Sequence, residues 1–297
     1  MRKTLGYCHR RGRSTLAYLT DDYDATPISD TDRTTLSVAL SALAEAFEAL
    51  VVHTRESLWA DDCRAARWVR AYDELPSPAD AGEVHLLIGH LLTRCFAAAD
   101  HARGASLILQ RSGTHVSLAT VSRGCIEALA KASYILTAQS ATDAIRNNLR
   151  LVRAEIRYLG KYSEIDIDGE PVEVDLVRNT IDDASKRFAV TNSANVTELA
   201  AALLNRAVQV PMGRHYYSHI SSFAHAEVDS INIFLTPGNL RRPELPKAYA
   251  VEWTGMCIGT LALLGSNLVE FFGLNGPVAD PWAHTVASAI AALRAVR

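Results

Sequence analysis

The stretch GRHYYSHISSFAHA, residues 213–226, gathers one arginine, three histidines, two tyrosines and three serines into a segment that otherwise has the apolar spacing of a buried helix. Burying that much polarity without partners is costly, so the groups must meet each other, a second subunit or a ligand. On a regular helix Tyr217, Ser221 and His225 recur at i, i+4 and i+8, and Arg214 falls on the same side. Phenol, hydroxyl, imidazole and guanidinium on one stripe could move a proton and stabilise developing negative charge. His215 and His219 form an i, i+4 pair able to hold a metal, but no H-E-x-x-H accompanies them, and no metal is expected.

Two other helical segments carry matching polarity. In SRGCIEALAK, Arg123 and Glu127 stand four residues apart in an apolar helix, where mutual pairing is expected. AADHAR places Asp100 and His101 on the helix before it. These residues are expected to support one polar pocket between three helices. A separate basic strip, Arg146, Arg150, Arg153, Arg157 and Lys161, covers about 22 Å of one helix face at the usual rise per residue, enough to follow a phosphate backbone.

The elements that must position these groups are helical almost throughout. Apolar residues recur with helical period over 31–59, 61–74, 83–111, 116–137, 141–162, 176–188, 196–209, 213–226 and 247–272. A last helix begins with Asp280 as cap and Pro281 in its first turn. The alternation of Ile165, Ile167, Val172 and Val174 around Asp168-Gly169 predicts a tight β-hairpin. The fold class expected is all-α, a single-domain helical bundle with one small β-hairpin excursion near 163–175. Residues 1–28 are expected to form a basic N-terminal arm and 29–297 the single helical domain.

Bulk properties exclude several classes. A formal net charge of −3 over 297 residues makes the whole chain no generic polyanion binder, so any nucleic-acid site must be a local patch. Cys8, Cys63, Cys95, Cys125 and Cys257 are scattered, which fits a reducing cytoplasm rather than a disulfide framework or a zinc site. Residues 253–269 carry no charge, yet they include Thr254, Thr260, Ser266 and Asn267. The segment is expected to be a core or interface helix and not a membrane span. No phosphate loop, dinucleotide fingerprint or nucleophile elbow is present, and no cofactor is expected.

The R-x-x-x-E helix, the preceding Asp100-His101 helix and the Y-x-x-x-S-x-x-x-H helix together resemble a group of uncharacterised all-helical bacterial proteins. Some of these resemble the HEPN superfamily of RNA-cleaving toxins and defence nucleases. Arg214-x4-His219 fits that superfamily's R-x(4–6)-H signature. The resemblance covers residues 98–137 and 213–226. It implies a metal-independent endoribonuclease, with His219 or His225 as general acid or base, Arg214 stabilising charge on phosphate, and a homodimer around the site. Two other readings stand beside it. One is a helical protein that binds or transforms a small molecule in the polar pocket. The other is a non-catalytic, dimeric helical protein whose stripe only fixes helix register.

Overall fold

The computed structural model describes residues 26–56, 59–71, 75, 81–111, 113, 116–167, 169–227, 230 and 245–296. The chain is an all-α bundle with one two-stranded antiparallel hairpin. In order come α1 (Asp30–Glu56), α2 (Arg64–Arg70), α3 (Ala81–Leu109), α4 (Val116–Leu136) and α5 (Ala141–Ile156). A 3₁₀ turn (Arg157–Lys161) leads into β1 (Glu164–Ile167) and β2 (Glu170–Glu173). Then follow α6 (Val174–Arg187), α7 (Val196–Val208), α8 (Gly213–Ala224), α9 (Lys247–Phe272) and α10 (Gly276–Val296).

Helix α9 is the hub and packs on α1, α4, α7 and α10. Its apolar residues lie on several sides, as a helix buried all round requires. Trp253, Cys257, Leu261, Leu264 and Leu268 are inaccessible to solvent. By length and composition alone, Asp30–Arg55 and Lys247–Phe272 would suffice to cross a membrane, and about half of each apolar window (50% and 56%) is packed inside the bundle. At Gly265 there is no space for a side chain, because the Trp282 indole of α10 lies directly against the α9 backbone. Cys63, Cys95, Cys125 and Cys257 are all free thiols in the core, and Cys8 lies outside the described residues.

Local chemistry explains most boundaries. Ser140 caps α5 by accepting from the Asp143 N–H at 3.1 Å, and Asn195 caps α7 by accepting from Thr197 N and Glu198 N. The hairpin register pairs Ile167 with Glu170 and Ile165 with Val172. Gly169 takes φ +86°, and its N–H donates to Asp166 Oδ1, so the glycine is required by the turn. Asp168 lies outside the described residues.

Four boundaries differ from the sequence reading. Helix α10 begins at Gly276, a turn ahead of Asp280, and holds Pro281 within its second turn. A proline there removes one main-chain bond, to the Pro277 carbonyl, yet residues 276–280 still join the helix. Helix α5 stops at Ile156, and the chain tightens into 3₁₀ geometry through Lys161 before the hairpin. Helix α2 is only seven residues, capped by the Cys63 Sγ, which accepts from Ala66 N at 3.3 Å. Of the arm expected over 1–28, residues 26–28 are packed on the bundle. Ile28 is buried, its N–H donates to Leu245 O, and Thr26 O accepts from Lys247 N, while residues 1–25 lie outside the described part.

Candidate functional site

Helices α4 and α8 cross so that the two sequence-predicted polar sets meet. The carboxylate oxygen Oε1 of Glu127 accepts two bonds, from Arg123 Nε at 2.7 Å and from the Tyr217 hydroxyl at 2.6 Å. The Arg123 guanidinium lies 5.8 Å from the Tyr217 ring centroid, over its face. Its Nη1 sits 2.5 Å from His225 Nε2. A guanidinium has no acceptor, so His225 Nε2 accepts this bond and the imidazole proton resides on Nδ1.

The array shifts the pKa of two of its members, Arg123 and Tyr217. Burial disfavours the Arg123 cation, but the hydrogen bond to Tyr217 and the Glu127 charge outweigh it, and its pKa rises. Burial also raises the Tyr217 pKa, as do the bond to Glu127 and the charge of that carboxylate, so the phenol stays a donor. Ser221, one turn beyond Tyr217 on the same stripe, is half-buried, and its Oγ has no hydrogen-bond partner among the described residues.

Two glycines make this arrangement fit. A Cβ on Gly124 would lie 2.9 Å from the His101 ring, so only glycine lets the α3 imidazole rest on α4 beside Arg123. Gly213 starts α8 against the α7 backbone at Ala201, and its N–H donates to Asn205 Oδ1 at 2.6 Å.

The array borders two adjoining, partly open cavities. The first, about 600 Å³, lies between α3, α4, α5 and α6, and its walls are mostly apolar, with Ala97, Ala128, Val152, Ile156 and Val177 among them. The second, about 780 Å³ and more polar, is bounded by α4, α5, the 3₁₀ turn, the start of α7 and Tyr217. Glu127, Lys131 and Glu155 line both. Glu155 receives Arg94 Nη2 at 3.1 Å and Lys131 Nζ at 2.9 Å. His90, also in the first chamber, has its Nδ1 3.0 Å from Asn148 Nδ2 and 3.3 Å from Asn148 Oδ1. Burial first, and then the Arg94 charge, lower the His90 pKa and keep the ring neutral.

Other expected site residues are placed elsewhere. Arg214 is exposed and pairs with Glu198 of α7, off the array. His219 is buried on the opposite side of α8, with Nδ1 2.9 Å from Glu252 Oε1 and its ring against Phe223 and Tyr249. Arg214 and His219, which the R-x4-H spacing links, therefore face different environments. His225 stands just past the helix, because α8 ends at Ala224. Asp100 is exposed and lines neither chamber, whereas His101 lines the first.

The basic strip is largely engaged within the fold. Arg146 donates to Phe188 O and Asp143, Arg150 to Asn192, Tyr134 and Asn147, and Arg153 to Asp182. Arg157 donates to Ser193 Oγ at 3.0 Å and lines the second chamber, and Lys161 is exposed at the end of the 3₁₀ turn. The sequence reading missed Arg94, Lys131, Glu155 and His90. The available signal was the R-x-x-x-E-x-x-x-K run of Arg123, Glu127 and Lys131, whose third member extends the same helix stripe.

Among the described residues, no group of three or more His, Cys, Asp or Glu side chains is arranged to hold a metal ion. No family model, curated protein or solved structure matches the chain.

Proposed function

We propose that this protein binds a small organic molecule in the two-chamber cleft, with the Arg123–Glu127–Tyr217–His225 array as a fixed polar end wall. One observation carries the reading: Glu127 is tied by two short bonds to Arg123 and Tyr217 while it lines both chambers. Each chamber has the volume of an ordinary small-molecule site, and a mostly apolar cleft with a few convergent polar groups is the usual form of one. The internal pairing leaves the array rigid, which suits recognition and proton transfer alike.

The test is a thermal-shift screen of metabolite-sized compounds. A ligand present at 100 times its Kd stabilises the fold by about 2.7 kcal/mol, a readily measured shift. Genuine hits lose their effect in Ala97→Trp, which fills the first chamber from its exposed wall. The reading fails if every compound that stabilises the wild type stabilises Ala97→Trp equally.

A second reading, a HEPN-like RNA-cleaving homodimer, is favoured by one contact. His225 is exposed, and the Arg123 guanidinium touches its Nε2. In that reading His225 exchanges a proton with a ribose 2′-hydroxyl while Arg123 holds the phosphate. Incubating a structured RNA with wild type and with His225→Ala decides it. Cleavage by the wild type alone supports it, and no cleavage by the wild type removes it.

A further inference from the structure

We propose that the ligand of the two-chamber cleft is an amphipathic anion, with an acyl or aryl body in the first chamber and a carboxylate or phosphate head beside Arg157 in the second. This rests on the small-molecule reading and assigns the class of molecule.

The first argument is the contrast between the chambers. Val152 and Ile156 of α5, Leu159 of the 3₁₀ turn and Val177 and Ile181 of α6 give the first chamber a predominantly apolar surface. The second presents more polar than apolar surface. A molecule that fills both must itself be apolar at one end and polar at the other.

The second argument is charge. Arg123, Lys131 and Arg157 line the second chamber against two carboxylates, Glu127 and Glu155. Both carboxylates are already occupied. Glu127 accepts from Arg123 and Tyr217, and Glu155 from Lys131 and from Arg94, a fourth cation reaching in from the first chamber. Arg157 forms no ion pair among the described residues, and its one side-chain bond is to the neutral Ser193 hydroxyl. A guanidinium so placed keeps N–H groups free for a planar, two-point bond to an oxyanion. The start of α7, at Val196 and Thr197, lines the same chamber.

The apolar chamber and the polar chamber meet at Lys131, which sets the order of the ligand. Its head lies on the Arg157 side of that residue and its body on the Val177 side. Carboxylate and phosphate share the chemistry that Arg157 reads.

The test is a calorimetric titration of the full chain with octanoate, octyl phosphate, 1-octanol and inorganic phosphate at one ionic strength. The expected result is that octanoate, octyl phosphate or both bind at least about tenfold more tightly than 1-octanol, the ratio that one charge-assisted hydrogen bond supports. Which of the two binds better identifies the head. Arg157→Gln, on an exposed turn where folding is unaffected, should bring the favoured anion down to the affinity of 1-octanol. Equal binding of 1-octanol and both anions by the wild type overturns the anionic head while leaving the small-molecule reading in place. Inorganic phosphate binding as tightly as octyl phosphate overturns the apolar body. Absence of binding by all four probes overturns the amphipathic class, and the compound screen with Ala97→Trp then decides the small-molecule reading separately.

Discussion

His219 within helix α8 and His225 just past its end look interchangeable in the sequence and stand in opposite surroundings. His219 is enclosed by Phe223, Tyr249 and Glu252, on the side that faces α9. Burial first, and the Glu252 charge second, push the Tyr249 phenol up to about 12, a mark of how dry that side is. His225 stands at the exposed helix end, where, among the described residues, its one side-chain bond is from the Arg123 guanidinium of α4. A histidine held in an aromatic cluster fixes the helix, and one at a solvent-facing array can meet a ligand. Residue type alone does not separate the two roles; the element that each face packs against does.

The largest test of this contrast removes an anchor from the dry face. Phe223 is fully buried, with its ring 5.1 Å from Tyr249 and 5.2 Å from Trp253. Phe223→Ala should cost about 3–5 kcal/mol, the range for emptying an aromatic site in a close-packed core. Chemical denaturation checks it. A loss below about 1 kcal/mol would mean that the α8–α9 contact is not what holds the helix.

The next effect lies on the wet face. Glu127→Gln keeps the shape and removes the charge that receives Arg123 and Tyr217. Two charge-assisted bonds at a site about one-quarter exposed support a loss of about 2 kcal/mol, read as a shift of a few degrees in Tm. Ligand binding in the cleft should weaken with it, whereas after Phe223→Ala the molecules that remain folded should bind normally. If Glu127→Gln lowers Tm yet leaves binding unchanged, the array is a helix clamp and nothing more.

These outcomes bear on what the sequence could reveal. Helical period locates every major helix among the described residues, and Asp168-Gly169 marks the hairpin, because apolar spacing and turn chemistry are local properties. The meeting of Arg123 and Glu127 with Tyr217 and His225 followed from the cost of burying charge in apolar helices. The placement of Arg214 did not follow. The helical wheel puts it on the stripe, but a long side chain at the first turn of α8 reaches Glu198 of α7 instead. Glu155 was equally hidden, since its partners Arg94 and Lys131 come from two other helices. Contacts between distant elements leave no spacing to read.

A smaller effect concerns pH and the floor of the first chamber. The His90 pKa is lowered in the fold, mainly by burial and then by the Arg94 charge. Below about pH 6.5 the unfolded chain takes up a proton at this position that the folded chain resists. Stability therefore falls as the pH drops below that value, levels off beneath the folded pKa, and gains nothing from His90 at higher pH. Urea midpoints at pH 7.5 and 5.5 should differ more in the wild type than in His90→Gln. An identical difference in both would show that the ring titrates freely.

The smallest expected effect separates the readings most cleanly. Arg214 is exposed, and its pair with Glu198 is a surface ion pair, so Arg214→Ala should change stability by less than about 0.5 kcal/mol. Its side chain is directed to α7 and away from the Glu127–Tyr217 bonds, so small-molecule binding should also be unaffected. A HEPN-type reaction built on Arg214-x4-His219 needs that guanidinium on phosphate, and the same substitution would then abolish RNA cleavage without altering Tm. Normal ligand binding by Arg214→Ala beside impaired binding by Glu127→Gln places the functional end of α8 on the face that meets α4. Loss of a measured RNA cleavage in Arg214→Ala would move it to the face that meets α7, and the R-x4-H spacing would then matter more than the array.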